Sequence, residues 1–317
     1  MVACSVSKKE PPSLPFCSVL ETQVKAMAHK PTLLADGFLF PETPRWHRAR
    51  GSFLISDIDR GQVIEIALDG KKQIVYQAPD WVSGTAFLDE NTLVVTHALK
   101  RDLVHVDLRK PEATPFSQLA TLAKFGINDM IRTATGHCFV DTVDFDFGAY
   151  SRGQAEAQPS ALIRVAPDGS ASIATREVNF PNGMAITPDG STLYVADSLD
   201  ACVYEFPLSP SGELGARSIF ASLPDEAPDG ISLDQNGAIW VATKHRVLRV
   251  AKGGAILEEV DMGSTAATAC MLGGLDGKTL LITASDSHDR SIISTNPSGR
   301  VYQVKVSVGG VGLPSIY

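Results

Sequence analysis

The sequence predicts an all-β chain folded as a six-bladed β-propeller, its ring closed by an N-terminal strand that joins the last blade. Three observations predict it. One hairpin pattern (turn, apolar run, turn, apolar run) recurs along the chain. Its copies begin at residues 42, 83, 128, 182, 229 and 270, in steps of 41, 45, 54, 47 and 41 residues, the spacing of four-stranded propeller blades. Long helical periodicities are scarce.

The elements follow in order. Residues 42–57 (ETPRWHRARGSFLISD) form the first hairpin, with QVIEIAL and KQIVYQ as its outer strands. Residues 83–97 (SGTAFLDENTLVVTH) and 128–142 (NDMIRTATGHCFVDT) repeat the pattern with more drift, the latter followed by ALIRVAP and SASIATR. FPNGMAITPDGSTLYVADS at 180–198 precedes CVYEFPL, and DGISLDQNGAIWVAT spans 229–243. The last hairpin, CMLGGLDGKTLLITAS at 270–285, has VYQVKVSV but little beyond it. TLLADGF at 32–38 stands where a fourth strand precedes every other hairpin, so it is expected to complete blade six and remove an exposed edge. Residues 1–30 read as a loosely ordered extension and 31–317 as the propeller.

Net charge is -8 with pI near 5.4, and Lys and Arg never cluster beyond two or three residues. That balance argues against a nucleic-acid or membrane partner. No run of eighteen apolar residues occurs, and the N-terminus has no apolar core of the signal-peptide kind. The five cysteines (Cys4, Cys17, Cys138, Cys202 and Cys270) are scattered without a CxxC pair. Reduced thiols and a cytoplasmic location are expected.

In a propeller the innermost strands line a central channel, so the first residue of each hairpin holds an equivalent place at one mouth. Those residues are Glu42, Ser83, Asn128, Asn182, Asp229 and Cys270. Asn-Gly and Asp-Gly are ordinary turn dipeptides when met singly. Four amide or carboxylate side chains at one repeat position are another matter, because the ring needs none of them to fold. Two acids placed together without a cation are costly. Hard oxygen donors suit Ca²⁺ first, with Mg²⁺, Mn²⁺ or Zn²⁺ as alternatives. The metal-ligand candidates are Glu42, Asn128, Asn182 and Asp229. The second strand of each hairpin returns to the same mouth, which puts Asp57, His97, Asp144, Asp197, His245 and His288 at the rim beside Ser83. The loop TVDFDFGAY and the long 54-residue step suggest a partly apolar lid. Trp46, Trp81 and Trp240 are expected in the core.

PETPRWH, IND at 127–129, FPNGMAITPDGSTLYVADS, PDGISLDQNGAIWVAT and ACMLGGLDGKTLLITAS together resemble the SMP-30/gluconolactonase/luciferin-regenerating family over roughly residues 33–314. The resemblance implies a metal-dependent hydrolase acting on a small lactone or ester. It implies that Glu42, Asn182 and Asp229 bind the cation and that Asn128 lies beside the metal or the substrate. Asp229 would be the base, with a rim histidine (His97, His245 or His288) as its rival. Gly126 stands where sugar-lactonase members tend to carry an arginine, and Thr43 stands where glycine is usual. The substrate is therefore expected to be less polar or bulkier than a sugar lactone. Two alternatives remain: an organophosphate or aryl ester hydrolase at the same cation, and a non-catalytic binding propeller with structural Ca²⁺. Neither GxSxG nor HExxH occurs, so serine-hydrolase and zincin chemistry have no motif here.

Overall fold

The computed structural model describes residues 27–314. Its strands form six sheets arranged as the blades of a β-propeller; blades one to four each follow the chain antiparallel from the axis outward, and blades five and six take their outermost strands from the N-terminal segment. Blade one is Pro41–His47, Ser52–Asp57, Gln62–Ala67 and Lys72–Gln77. Blades two, three and four begin at the axis with Val82–Phe87, Gly126–Arg132 and Pro181–Ile186. Blade five is built on Ile231–Leu233 and Ile239–Ala242, and blade six on Ala266–Gly273 and Thr279–Ser285.

Ring closure follows the expectation. Thr32–Phe38 pairs antiparallel with Gly299–Lys305 and becomes the outer strand of blade six. The extension expected over 1–30 is different where it is described. Met27–His29 runs parallel to Ile256–Asp261 as a fifth strand of blade five, and residues 1–26 lie outside the described part of the chain.

Alternation of side chains across each strand buries one apolar face on either side of a blade. Six apolar layers result, one at every junction. Ile131 and Phe139 of blade three meet Met184, Val195 and Phe206 of blade four. Phe53 and Ile64 of blade one meet Leu281 and Val301 of blade six and so seal the ring. Trp46 and Trp240 are buried in these layers as expected. After the last blade the chain crosses the far mouth of the channel, where Gly310 bridges to Asp234 and Leu313 to Ile186.

Two connections on the near side are long. Residues 144–161 link the second and third strands of blade three and contain the short helix Phe147–Ser151, capped by the Asp146 carboxylate accepting from Ala149 N at 2.9 Å. Residues 286–298 do the same in blade six and carry the helix Arg290–Ile293. Among the described residues no helix is long and apolar enough to cross a membrane.

Candidate active site

The innermost strands lose register at their near-mouth ends. Slips fall between Glu42 and Arg45, Val82 and Thr85, Ile127 and Met130, and Pro181 and Met184. A bulge of this kind places two residues opposite one and re-aims the side chain at the break. Glu42, Ser83, Asn128 and Asn182 sit at or beside these breaks, Asp229 holds the corresponding place just before the strand Ile231–Leu233 with its N donating to Ala242 O at 2.9 Å, and all five line one cavity. In blade six the slip lies between Ala267 and Ala269, so the equivalent residue is Thr268, two positions before the expected Cys270. The Thr268 hydroxyl donates to Pro41 O at 2.8 Å and lies against the Glu42 carboxylate. Cys270 is buried behind it, its Sγ 3.5 Å from the carbonyls of Gly230 and Trp240.

The glycines of the NG and DG pairs are not turn residues here. Gly183 lies inside the strand Pro181–Ile186, and Gly230 immediately precedes the strand Ile231–Leu233. A Cβ on Gly230 would stand 2.3 Å from Ala269 Cβ, and one on Gly183 would stand 2.6 Å from Gly230 Cα. Small residues at this position let adjacent inner strands touch backbone to backbone. The preceding side chains are thereby drawn together at the axis.

The electrostatics of this floor are acidic. Burial pushes the Glu42 carboxyl from its ordinary 4.5 up to about 7, with a further rise from Asp129, although Thr43 N donates to Oε2 at 2.9 Å. Burial also holds Asp229 well above the usual carboxylate range, and the negative charges of Glu42, Asp129 and Asp141 add to it. Asp129 and Asp141 form a second acidic layer that sequence reasoning missed. Arg45 answers part of it, with Nη2 2.5 Å from Asp129 Oδ1 and Nε donating to Thr85 O at 2.8 Å. Asp141 is fully buried, and its Oδ1 has no hydrogen-bond partner among the described residues.

Asn128 takes a different place from the one expected of a ligand. Its Oδ1 accepts from Ser83 Oγ at 2.6 Å, while its NH₂ faces Asp141 Oδ2 at 3.4 Å and Asn182 Oδ1 at 3.5 Å. Turned over, the amide would set its oxygen against the Asp141 carboxylate, so the orientation with NH₂ toward Asp141 is favoured. The donor set facing the cavity is then Glu42, Asn182 and Asp229. Among the described residues no three His, Cys, Asp or Glu side chains converge as a metal site. The mixture of two carboxylates with an amide oxygen nevertheless suits a hard cation. The mutual charge repulsion of Glu42 and Asp229 is what such a cation relieves.

The rim divides. Ser83 and His288 line the cavity, as do Trp81 and Arg290, the tryptophan having been expected in the core. Arg290 lies over the rings of Phe40 and Trp81, 4.4 and 5.0 Å from their centroids, and is paired with Asp59. Burial pushes the His288 imidazole down to about 4, helped by Arg290 and Lys244. The other expected rim residues are elsewhere. Asp57 accepts from Phe40 N at 2.8 Å and Leu39 N at 3.0 Å, and Asp197 from Asn179 N at 2.7 Å and Phe180 N at 3.1 Å. Asp144 accepts from Lys124 N at 2.9 Å. These three carboxylates tie the incoming chain to the hairpin end. His97 is buried between Tyr76 and Asp102, at 3.0 and 2.8 Å. His245 is exposed and does not line the cavity.

The cavity encloses about 600 Å³. Apart from its floor it is largely apolar, and the loop read as a lid supplies Phe145, Phe147 and Tyr150 to its wall.

A family model described as SMP-30/Gluconolactonase/LRE-like region matches residues 40–286. The L-arabinolactonase of Azospirillum brasilense is 27% identical over 269 residues, 81% of this chain and 85% of that protein. The 6-deoxy-6-sulfogluconolactonase of Pseudomonas putida is 32% identical over 160 residues, 48% of this chain and 55% of that one, so the chain spans about half the length of that relative. The fold is shared with a calcium-binding protein, regucalcin, from Agrobacterium tumefaciens, at a TM-score of 0.78 and 21% identity, covering 92% of this chain and 99% of that one.

Proposed function

The chain belongs to the SMP-30/gluconolactonase/LRE-like family, and we propose that it opens a lactone to the hydroxy acid with a divalent cation, Ca²⁺ first, held by Glu42, Asn182 and Asp229. The observation that carries this reading is the meeting of those three side chains on one cavity floor, two of them carboxylates, with the charge of Glu42 raising the proton affinity of Asp229. Bound there, the cation would supply Lewis-acid polarisation of the ester carbonyl.

The chain's own groups do the rest. Water adds its oxygen to the carbonyl carbon, the ring C–O bond breaks, and the departing oxygen takes up a proton. Asp229 accepts the proton of the attacking water at its carboxylate and delivers it to the ring oxygen. His288 is the one histidine of the expected rim that lines the cavity; it is neutral at pH 7 and is the second base available. Asn128, held by Ser83 and Asp141, directs its NH₂ toward Asn182 and fixes the side chain that carries a donor oxygen. Gly126 leaves the wall without a cation at that point, which supports a substrate other than a simple sugar lactone.

The test is metal content and turnover measured together. Protein treated with chelator should lose lactone hydrolysis and regain it with Ca²⁺ or Mn²⁺, and Glu42→Gln should lose both activity and bound metal. Full turnover by metal-free protein would remove the cation from the mechanism.

A further inference from the structure

The cavity has two chemically distinct ends. Its floor carries the acids and amides described above, while the wall beyond Asn128 and Asn182 is built of Phe125, Phe145, Phe147, Tyr150, Phe180 and Leu199. Four of those rings touch one another. Phe145 meets Phe180 at 5.2 Å and Tyr150 at 5.4 Å, and Phe147 meets Phe180 at 5.7 Å, each measured between ring centroids. Aromatic rings in edge and tilted contact form a rigid apolar face. At its outer margin Phe125 is 54% exposed, Leu99 50% and Leu199 37%. These apolar side chains stand at the cavity mouth, where they add to the same surface.

Size and polarity point the same way. A cavity of about 600 Å³ falls within the range that encloses drug-sized ligands, and a bare lactone ring fills only a fraction of it. Beyond the floor, a sugar lactone would bring several hydroxyls to a cavity where the apolar side chains outnumber the polar ones, namely the Tyr150 and Ser198 hydroxyls, the Asp146 carboxylate, His288, Lys244 and Arg290. Buried hydroxyls without partners are disfavoured.

We propose that the substrate is a lactone bearing an apolar substituent, an aryl ring or an alkyl chain, that lies on the Phe145–Phe147–Tyr150–Phe180 wall while the ester group sits over the floor. The assignment rests on the lactonase reading for its chemistry, but the wall itself does not depend on it. The loop 144–161, which supplies three of the four rings, is then the determinant of specificity.

The test uses the full chain loaded with Ca²⁺, assayed by pH-stat on γ-butyrolactone, γ-hexalactone, γ-octalactone, γ-decalactone, γ-phenyl-γ-butyrolactone and D-glucono-δ-lactone. The value of kcat/KM should rise roughly threefold to fourfold per added methylene until the chain reaches the mouth, with the phenyl lactone well ahead of γ-butyrolactone and the gluconolactone far behind. In Phe147→Ser the ratio of the decalactone to the butyrolactone value should fall at least tenfold. A second readout needs no turnover. Alkyl cyclopentanones of increasing chain length, which cannot be hydrolysed, should perturb the fluorescence of Trp81 in metal-free protein with affinity that grows with the chain, and Trp81→Phe should lose the signal.

Turnover without chain-length dependence, or with gluconolactone preferred, would overturn the apolar-substituent proposal and leave the lactonase reading standing. Chain-dependent ketone binding with no lactone hydrolysed would sink the lactonase reading, and with it the lactone part of the assignment, while leaving the aromatic wall as the seat of an apolar group. Ketone binding that ignores chain length would sink the proposal by itself.

Discussion

Removing the cation should make the stability of this protein depend on pH in a direction that the buried Glu42 dictates. Its carboxyl is raised from 4.5 to about 7, chiefly by burial. Between those values the folded chain keeps a proton that the unfolded chain has released. Folding stability of metal-free protein is therefore greatest below pH 4.5 as far as this group is concerned, falls as pH rises through the window, and levels off above 7. At 1.36 kcal/mol per pKa unit the loss amounts to about 3 kcal/mol. For a chain of this length that corresponds to a fall in Tm of about 5 °C. The assay is differential scanning calorimetry of chelator-dialysed protein from pH 5 to 8, repeated with Ca²⁺ present and with Glu42→Gln. Calcium should restore the lost stability at pH 7–8, where the carboxylate is charged, and the glutamine variant should flatten the curve. A metal-free Tm that stays level or rises from pH 5 to 8, or a Glu42→Gln curve parallel to wild type, would refute the electrostatic account of the floor.

Three further outcomes are expected. Gly230→Ala places a methyl 2.3 Å from Ala269 Cβ, so the variant should be destabilised by several kcal/mol or be recovered unfolded, as read by urea titration; overpacking at a backbone contact leaves nothing flexible to yield. Asp197→Ala strips acceptors from Asn179 N, Phe180 N and Asp200 N and should cost about 2–4 kcal/mol, with a weakened apolar-substrate preference because Phe180 belongs to the cavity wall. Asp141→Asn removes a carboxyl whose proton affinity burial and Asp129 raise well above normal; relative to wild type, the metal-free variant should gain stability progressively as pH rises, read from Tm between pH 6 and 9.

Much of this architecture was legible in the chain. Strand formation depends on apolar alternation and turn chemistry over a few residues, so the hairpins, their spacing and the closing strand Thr32–Phe38 could be read directly. Five of the six axial positions, Glu42, Ser83, Asn128, Asn182 and Asp229, followed from repeat alignment, because a repeated position becomes a shared place once the blades close. The sixth did not. Cys270 looked equivalent, yet the slip between Ala267 and Ala269 puts Thr268, two residues earlier, there; a bulge re-aims a side chain without leaving any mark in the apolar pattern by which the repeats are aligned.

The sequence by itself determined that six hairpins would close into a ring and that oxygen-bearing side chains would gather at one mouth. Only the tertiary structure decided which way those side chains face and what surrounds them. Asp57, Asp144 and Asp197 bind the backbone of the incoming chain instead of the cavity, because buried N–H groups there require acceptors. Rings from loop 144–161 and from Phe180, distant in sequence, became one wall because that loop folds back over the residue that leads into the strand Pro181–Ile186. Direction and proximity across blades are set by packing between elements, and no local pattern of residues encodes that.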